Sequence, residues 1–174
     1  YGTRVAMLDG WRYCPRCAAE LRRDGSWVDC DACGFSHLAS SATGVGAFVL
    51  DEDGRLLLAR RAFEPDEGKW DNPGGFLDEG EEPIDGLRRE LREEAGVEIH
   101  VGSFVGGFVD TYGEPPNERH VLNLVWEARV AEGDPTPSDD VSELRWFAKD
   151  ELPAETELAF RWLGPALTSW ARSR

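Results

Sequence analysis

All four cysteines of the chain fall in one segment, YCPRCAAELRRDGSWVDCDACGF, at Cys14, Cys17, Cys30 and Cys33. Two C-x2-C pairs twelve residues apart are the ligand layout of a tetrahedral zinc site, with thiolates about 2.3 Å from the metal. This spacing is the tightest constraint on the fold. A module of about forty residues buries too little apolar surface to fold unaided, so the metal supplies most of its folding energy. Four thiolates close the coordination shell, which makes the Zn2+ structural. Pro15, Gly25 and Gly34 provide turns around the pairs. His37, four residues beyond Cys33, is a spare ligand type that a four-thiolate site does not need. The competing reading is two disulfides or four free thiols. The N-terminal stretch YGTRVAMLDGW has no apolar h-region of a secretion signal, so the expectation is a reducing, cytoplasmic setting, where disulfides are disfavoured.

The chain has 174 residues and a net charge of −15. That length accommodates one ordinary domain beside the small module. No apolar run approaches the roughly 18 residues of a membrane span, so no membrane partner is expected. The charge argues against nucleic acid as a partner, because that affinity comes mostly from Lys and Arg neutralising phosphates. Phosphate ligands stay open if divalent cations sit between the two sets of negative charge.

From Ala42 the pattern changes. TGVGAFVLDEDGRLLLARR reads as two strands joined at DEDG. GKWDNPGGF reads as turns, with Trp70 in the core. VEIHVGSFVGGFVDTY and RHVLNLVWEARV are two further long strands with GEPPNE as the loop between them, and a short strand ELRWF follows the loop EGDPTPSDD. In ETELAFRWLGPALTSWAR, apolar residues from Leu158 to Trp170 recur at helical spacing, with Pro165 as an expected kink. Strands bracketed by two helices predict a mixed sheet with helices packed on it.

The helix between Pro83 and Gly96 carries the chemistry. Pro83 suits a first turn and Gly96 the left-handed residue that ends a helix. Ile84, Leu87, Leu91 and Ala95 share one stripe; at about 100° per residue, Glu90, Glu93 and Glu94 group on one flank and Arg88, Arg89 and Arg92 on the other. For stability this is poor placement. Glu90 and Glu94 repel at i,i+4, which costs about 0.2–0.5 kcal/mol. Glu93 and Glu94 oppose the macrodipole at about 0.3–1 kcal/mol each. Hard divalent cations give the crowding a purpose: Mg2+ is held by one or two carboxylates together with substrate phosphates. The glycines of NPGGF, just before the helix, suit a backbone that approaches something closely.

Gly75, five residues, Glu81, seven residues, then Arg89-Glu90-Leu91-x-Glu93-Glu94-x-Gly96-Val97 resembles the complete 23-residue Nudix box, matching all nine fixed positions. With the surrounding strands the resemblance extends over roughly 42–174. It implies an α/β fold, an α/β/α sandwich around a mixed sheet, and hydrolysis of a nucleoside diphosphate linked to another moiety with Mg2+ or Mn2+. By position, Glu90, Glu93 and Glu94 match the metal-binding and catalytic glutamates, and Arg89 the arginine that orients a glutamate. Gly74 matches the glycine whose carbonyl ligates metal in some members. A metal-activated water attacks phosphorus, with Glu90 favoured as the base. Many members add an acidic ligand from a late loop, and among Asp139, Asp140 and Glu143, Asp140 is nearest that position.

A four-cysteine zinc ribbon at 1–41 ahead of a Nudix hydrolase domain at 42–174 is also similar to NADH pyrophosphatases. Their SQPWPFPxS signature after the box is replaced here by VGSFVGGFVDTYGEPPNERH. Tyr112 and Pro115 straddle the position that separates ADP-ribose from dinucleoside-polyphosphate subfamilies. Arg61, Arg119 and Tyr112 are the substrate-binding candidates, with Arg60 a further arginine of the same kind. The expected partner is a small-molecule nucleoside diphosphate derivative. The alternative is a nucleotide-sensing or nucleic-acid-binding module, motivated by the ribbon and its Arg12, Arg16, Arg22 and Arg23. A homodimer interface or a share in the substrate pocket are further roles for the ribbon.

Overall fold

The structure is a computed structural model that describes residues 7–8, 10–113 and 118–172. Pro115 therefore lies outside the described residues. The backbone groups into two compact units, Tyr1–Ala42 with Thr111–His120, and Thr43–Asp110 with Val121–Arg174.

In the first unit, β1 (Arg22–Asp24), β2 (Trp27–Asp29) and β3 (Ser36–Leu38) form an antiparallel sheet. The two cysteine pairs close equivalent turns. The N–H of Ala18 donates to the Cys14 carbonyl at 2.9 Å, and that of Gly34 to the Cys30 carbonyl at 2.9 Å. The four Sγ atoms come within 4.8 Å of one another, and no disulfide joins them. His37 is not in that group. It stacks on Trp11 at 5.4 Å and faces Phe35 at 6.5 Å.

The second unit is built on β4 (Ala42–Leu50), β5 (Leu56–Arg61), β6 (Trp70–Asp71), β7 (Gly74–Phe76), α1 (Pro83–Ala95), β8 (Glu98–Tyr112), β9 (Arg119–Glu132), β10 (Val141–Phe147) and α2 (Leu163–Arg172). The mixed sheet runs β10-β5-β4-β9-β8, with β6 paired to β5 and β7 to β4. β4 is buried on both faces, which explains its continuous apolar sequence. Val45, Ala47 and Val49 meet Leu87, Leu91 and Ala95 of α1. Phe48 and Leu50 face the other way, into an aromatic core with Trp70, Phe147, Trp162 and Trp170. Trp70 meets Phe147 edge-on at 4.9 Å, and Phe48 meets Trp170 edge-on at 6.1 Å. Among the described residues, no helix is long and apolar enough to cross a membrane.

Three local expectations change. The stretch GKWDNPGGF holds two short strands, β6 and β7, because sheet neighbours recruit its turn-rich sequence. The C-terminal helix starts only at Leu163, after a 3-10 turn at Glu155–Glu157. Pro165 thus sits in the first turn, where a missing N–H is harmless, and makes no kink. Gly96 does end α1 in the left-handed region, at φ 67°.

Candidate active site

α1 positions the carboxylates. Glu90 and Glu94 are buried, 9% and 6% exposed, while Glu93 faces outward. The loop after β9 docks on the C-terminal end of this helix: the N–H groups of Ser138 and Thr136 each donate at 2.9 Å, to the carbonyls of Glu94 and Ala95. These bonds satisfy carbonyls that the helix itself leaves open. The same loop delivers Asp140, whose carbonyl accepts the Ala62 N–H at 2.7 Å and whose charge bears on Glu90, Glu94 and Asp71.

The two glycines of NPGGF serve separate purposes. Gly74 has φ 141°, and a Cβ there would lie 2.1 Å from the Val45 carbonyl oxygen. Its N–H donates to Glu94 Oε2 at 2.8 Å. Gly75 leaves room for Glu90, whose carboxylate carbon and Oε2 would each lie 2.5 Å from an added Cβ.

Arg89 is not set apart from the glutamates, as its flank of the helix suggested. Its long side chain uses all five N–H groups. Nε and NH2 each donate at 2.9 Å to Glu81, NH1 donates to Glu90 at 2.7 Å and to Glu93 at 2.9 Å, and NH2 also donates to the Phe76 carbonyl at 3.0 Å. The planar fork permits this where an ammonium would not. Its hydrogen bonds hold the Glu81 carboxyl down at about 2. The buried acids behave oppositely. Burial raises Glu94 well above the ordinary carboxylate range against the Gly74 N–H, and the charges of Asp140, Asp71 and Glu90 add to the rise. Burial likewise raises Glu90 against Arg89, with Glu93 and Asp140 adding to it.

Asp71 went unrecognised in the sequence. Burial pushes it up to about 7, against Arg61, with Asp140 and Asp66 adding to the rise. The available signal was an acid wedged between a core tryptophan and the NPGG turn. Arg61 lies 3.9 Å from Asp71, donates to the Pro65 carbonyl at 2.7 Å and lies over the Phe160 ring at 5.5 Å. Arg60 is engaged with Glu143 at 3.2 Å and the Gly68 carbonyl at 2.8 Å. Asp139 is exposed, with φ 55°. Tyr112 and Arg119 lie where β8 ends and β9 begins, within Thr111–His120, the stretch that groups with the first unit.

The donor set fits hard divalent cations. Glu90, Glu94, Asp140 and Asp71 offer oxygen atoms only; Glu90 and Glu94 are buried, the two aspartates are half-buried and bear on them through their charge, and Mg2+ or Mn2+ takes such ligands. The four clustered sulfurs fit Zn2+.

Residues 41–165 match the family model described as the NUDIX domain. The chain belongs to the Nudix family. Its relatives include the NAD-capped RNA hydrolase NudC of Stutzerimonas stutzeri, 30% identical over 158 residues that cover 88% of this chain and 54% of that protein. The ADP-ribose pyrophosphatase of Methanocaldococcus jannaschii is 31% identical over 112 residues, 64% of this chain and 63% of that protein. The chain thus spans between about half and just under two thirds of the length of these curated relatives. The crystal structure of a NUDIX hydrolase from Nitrosomonas europaea superposes on 94% of this chain and 92% of its own, with a TM-score of 0.74 and 25% identity.

Proposed function

We propose that this Nudix protein is a Mg2+- or Mn2+-dependent pyrophosphohydrolase. Its substrate is a nucleoside diphosphate linked to a second moiety, as in ADP-ribose, NAD(H)-like dinucleotides or nucleotide sugars. The observation that carries this reading is the pair of buried carboxylates, Glu90 and Glu94, seated against Gly75 and Gly74 with Asp140 beside them. Two relatives whose names specify ADP-ribose and NAD-capped RNA support the substrate class.

Glu90, Glu93, Glu94, Asp140 and the Gly74 carbonyl would hold the divalent ion. Such an ion lowers the pKa of a bound water and offsets charge on the diphosphate. Glu90 takes the proton of the attacking water, and its raised pKa moves it toward the range a general base needs. Arg89 fixes the Glu90 carboxylate and ties it to Glu81 and Glu93. Arg61 is assigned to substrate binding and also braces the loop after β5 through Pro65; Tyr112 and Arg119, which group with the first unit, remain substrate-binding candidates by sequence alone. Residues 1–41 are assigned as a zinc ribbon on Cys14, Cys17, Cys30 and Cys33, and 42–174 as the hydrolase domain.

The test is a screen of purified protein against ADP-ribose, NADH, diadenosine polyphosphates, nucleotide sugars and nucleoside triphosphates, with Mg2+ or Mn2+ and with products identified. Turnover of a linked diphosphate that collapses in Glu90→Gln and Glu94→Gln is expected. Undiminished turnover in both variants would overturn the site, and inactivity on every diphosphate would overturn the function.

A further inference from the structure

On the face of β4 turned away from α1, the row of Phe48 and Leu50 continues into two glycines, Gly46 and Gly44. An added Cβ at Gly46 would lie 2.0 Å from Asn72 Nδ2, and one at Gly44 would lie 2.9 Å from Asn123 Oδ1. Each glycine is therefore roofed by an asparagine amide. Alternate residues of a strand are about 6.6 Å apart, so the two amides lie side by side.

The protein makes little use of either amide. Asn72 Nδ2 reaches the Pro73 carbonyl at 3.3 Å, and Asn123 Nδ2 reaches the Phe108 carbonyl at 3.5 Å. Good N–H···O bonds measure about 2.7–3.2 Å. Among the described residues, neither side chain makes another hydrogen bond. Yet Asn72 is only 7% exposed, and Asn123 is half-buried in one row of β9 with Val121 and Val125. Among the described residues, neither asparagine has a side-chain atom that is both fully buried and without a partner, so the unbonded positions of the amides stay accessible to a ligand, and an aliphatic side chain would serve the row at 123 better.

The pair sits at the catalytic end of the sheet. Gly44 and Gly46 are in register with Phe76 and Gly74 of β7. Gly74, two residues past Asn72, is the residue whose N–H holds Glu94.

We infer that Asn123, with Asn72 beside it, reads the base of the substrate nucleotide, and that this base is adenine. An asparagine amide offers both an acceptor and donors, and it pairs in bidentate fashion with N6 and N7 of adenine. This assignment rests on the reading of the chain as a nucleoside-diphosphate hydrolase.

ADP-glucose, GDP-glucose and UDP-glucose share a leaving group and differ only in the base, so they isolate the effect. The wild type is expected to favour ADP-glucose. Asn123→Ala raises the KM for ADP-glucose roughly 5- to 150-fold, the discrimination of one bidentate pair. Its kcat, and its KM for the other two sugars, change little. Asn123→Asp, which keeps the acceptor and loses the donors, falls between and serves if the alanine variant does not fold. Folded variants with an unchanged order of base preference, or a wild type with none, overturn the assignment.

Calorimetric titration of wild type and variants with AMP and GMP needs no turnover. An AMP preference that disappears in Asn123→Ala supports the assignment even if all three sugars resist hydrolysis, a result that would count against the hydrolase reading alone. Equal binding of AMP and GMP by the wild type overturns it.

Discussion

Gly75→Ala isolates what the glycine-glutamate contact contributes. The added Cβ would sit 2.5 Å from the Glu90 carboxylate, against an ordinary contact near 3.4 Å, so the carboxylate must retreat by about 0.9 Å. It cannot retreat freely, because it is buried and its Oε1 is held by Arg89 at 2.7 Å. A displacement of about 1 Å in a reacting constellation costs about 100-fold in rate. The backbone itself accepts alanine, since Gly75 has no left-handed φ. Restricting the unfolded chain at such a position contributes about 0.4–1 kcal/mol of stability, which offsets part of the local strain. The expected variant is therefore folded, with a Tm within a few degrees of wild type, and about 100-fold lower in kcat for the substrate that the screen identifies. Gly74→Ala is the contrast. Its Cβ would meet backbone at 2.1 Å with φ at 141°, so that variant loses thermal stability as well as activity. A folded Gly75→Ala protein with kcat within about threefold of wild type would refute the claim that this glycine exists to seat Glu90.

Arg89→Lys replaces a five-donor fork by a point charge; kcat is expected to fall about 10- to 100-fold, as for other residues that orient a ligand, with more Mg2+ needed for half-activation, and a normal Mg2+ titration would count against it. Folded-state carboxyls with raised pKa hold protons that the unfolded chain has released, so stability falls as pH rises through that window. For Asp71 the window runs from 3.8 to about 7. Without added divalent ions the protein should show a decline in Tm across it that is flatter in Asp71→Asn, and Mn2+ should raise Tm more at pH 8 than at pH 5. Glu81 has the opposite sign: its contribution is complete above 4.5 and lost as pH falls towards about 2. The stability difference between wild type and Glu81→Gln should accordingly shrink over that range in acid titrations followed by circular dichroism. Cys30→Ser should cost the chain its bound Zn2+ in elemental analysis and expose amides of β1–β3 to hydrogen exchange; full protection without the metal would rule out a metal-dependent module.

The box spacing pointed directly to α1 and to the glutamates on it, because a helix turns by a fixed angle per residue and its caps are local signals. The register of the C-x2-C pairs was equally legible, since each pair closes a turn within five residues. Side-chain reach was not. Arg89 falls on the flank away from Glu90 by angle alone, yet its side chain spans the helix face to reach Glu81, Glu90 and Glu93. The strands β6 and β7 were invisible for a related reason: residues that read as turns pair because β5 and β4 lie beside them.

The sequence alone thus determined the elements whose causes are local: two cysteine-bearing turns, an amphipathic helix stopped at Gly96, and the long apolar strands. The tertiary structure decided everything that depends on what comes alongside. It seated Glu90 against Gly75, brought Asp140 and Asp71 to the same carboxylates, and laid Asn72 and Asn123 over the glycines of β4. Those neighbours lie between 15 and 79 residues apart in the chain. Their contacts are set by sheet register and helix docking, and periodicity within a segment carries no information about either.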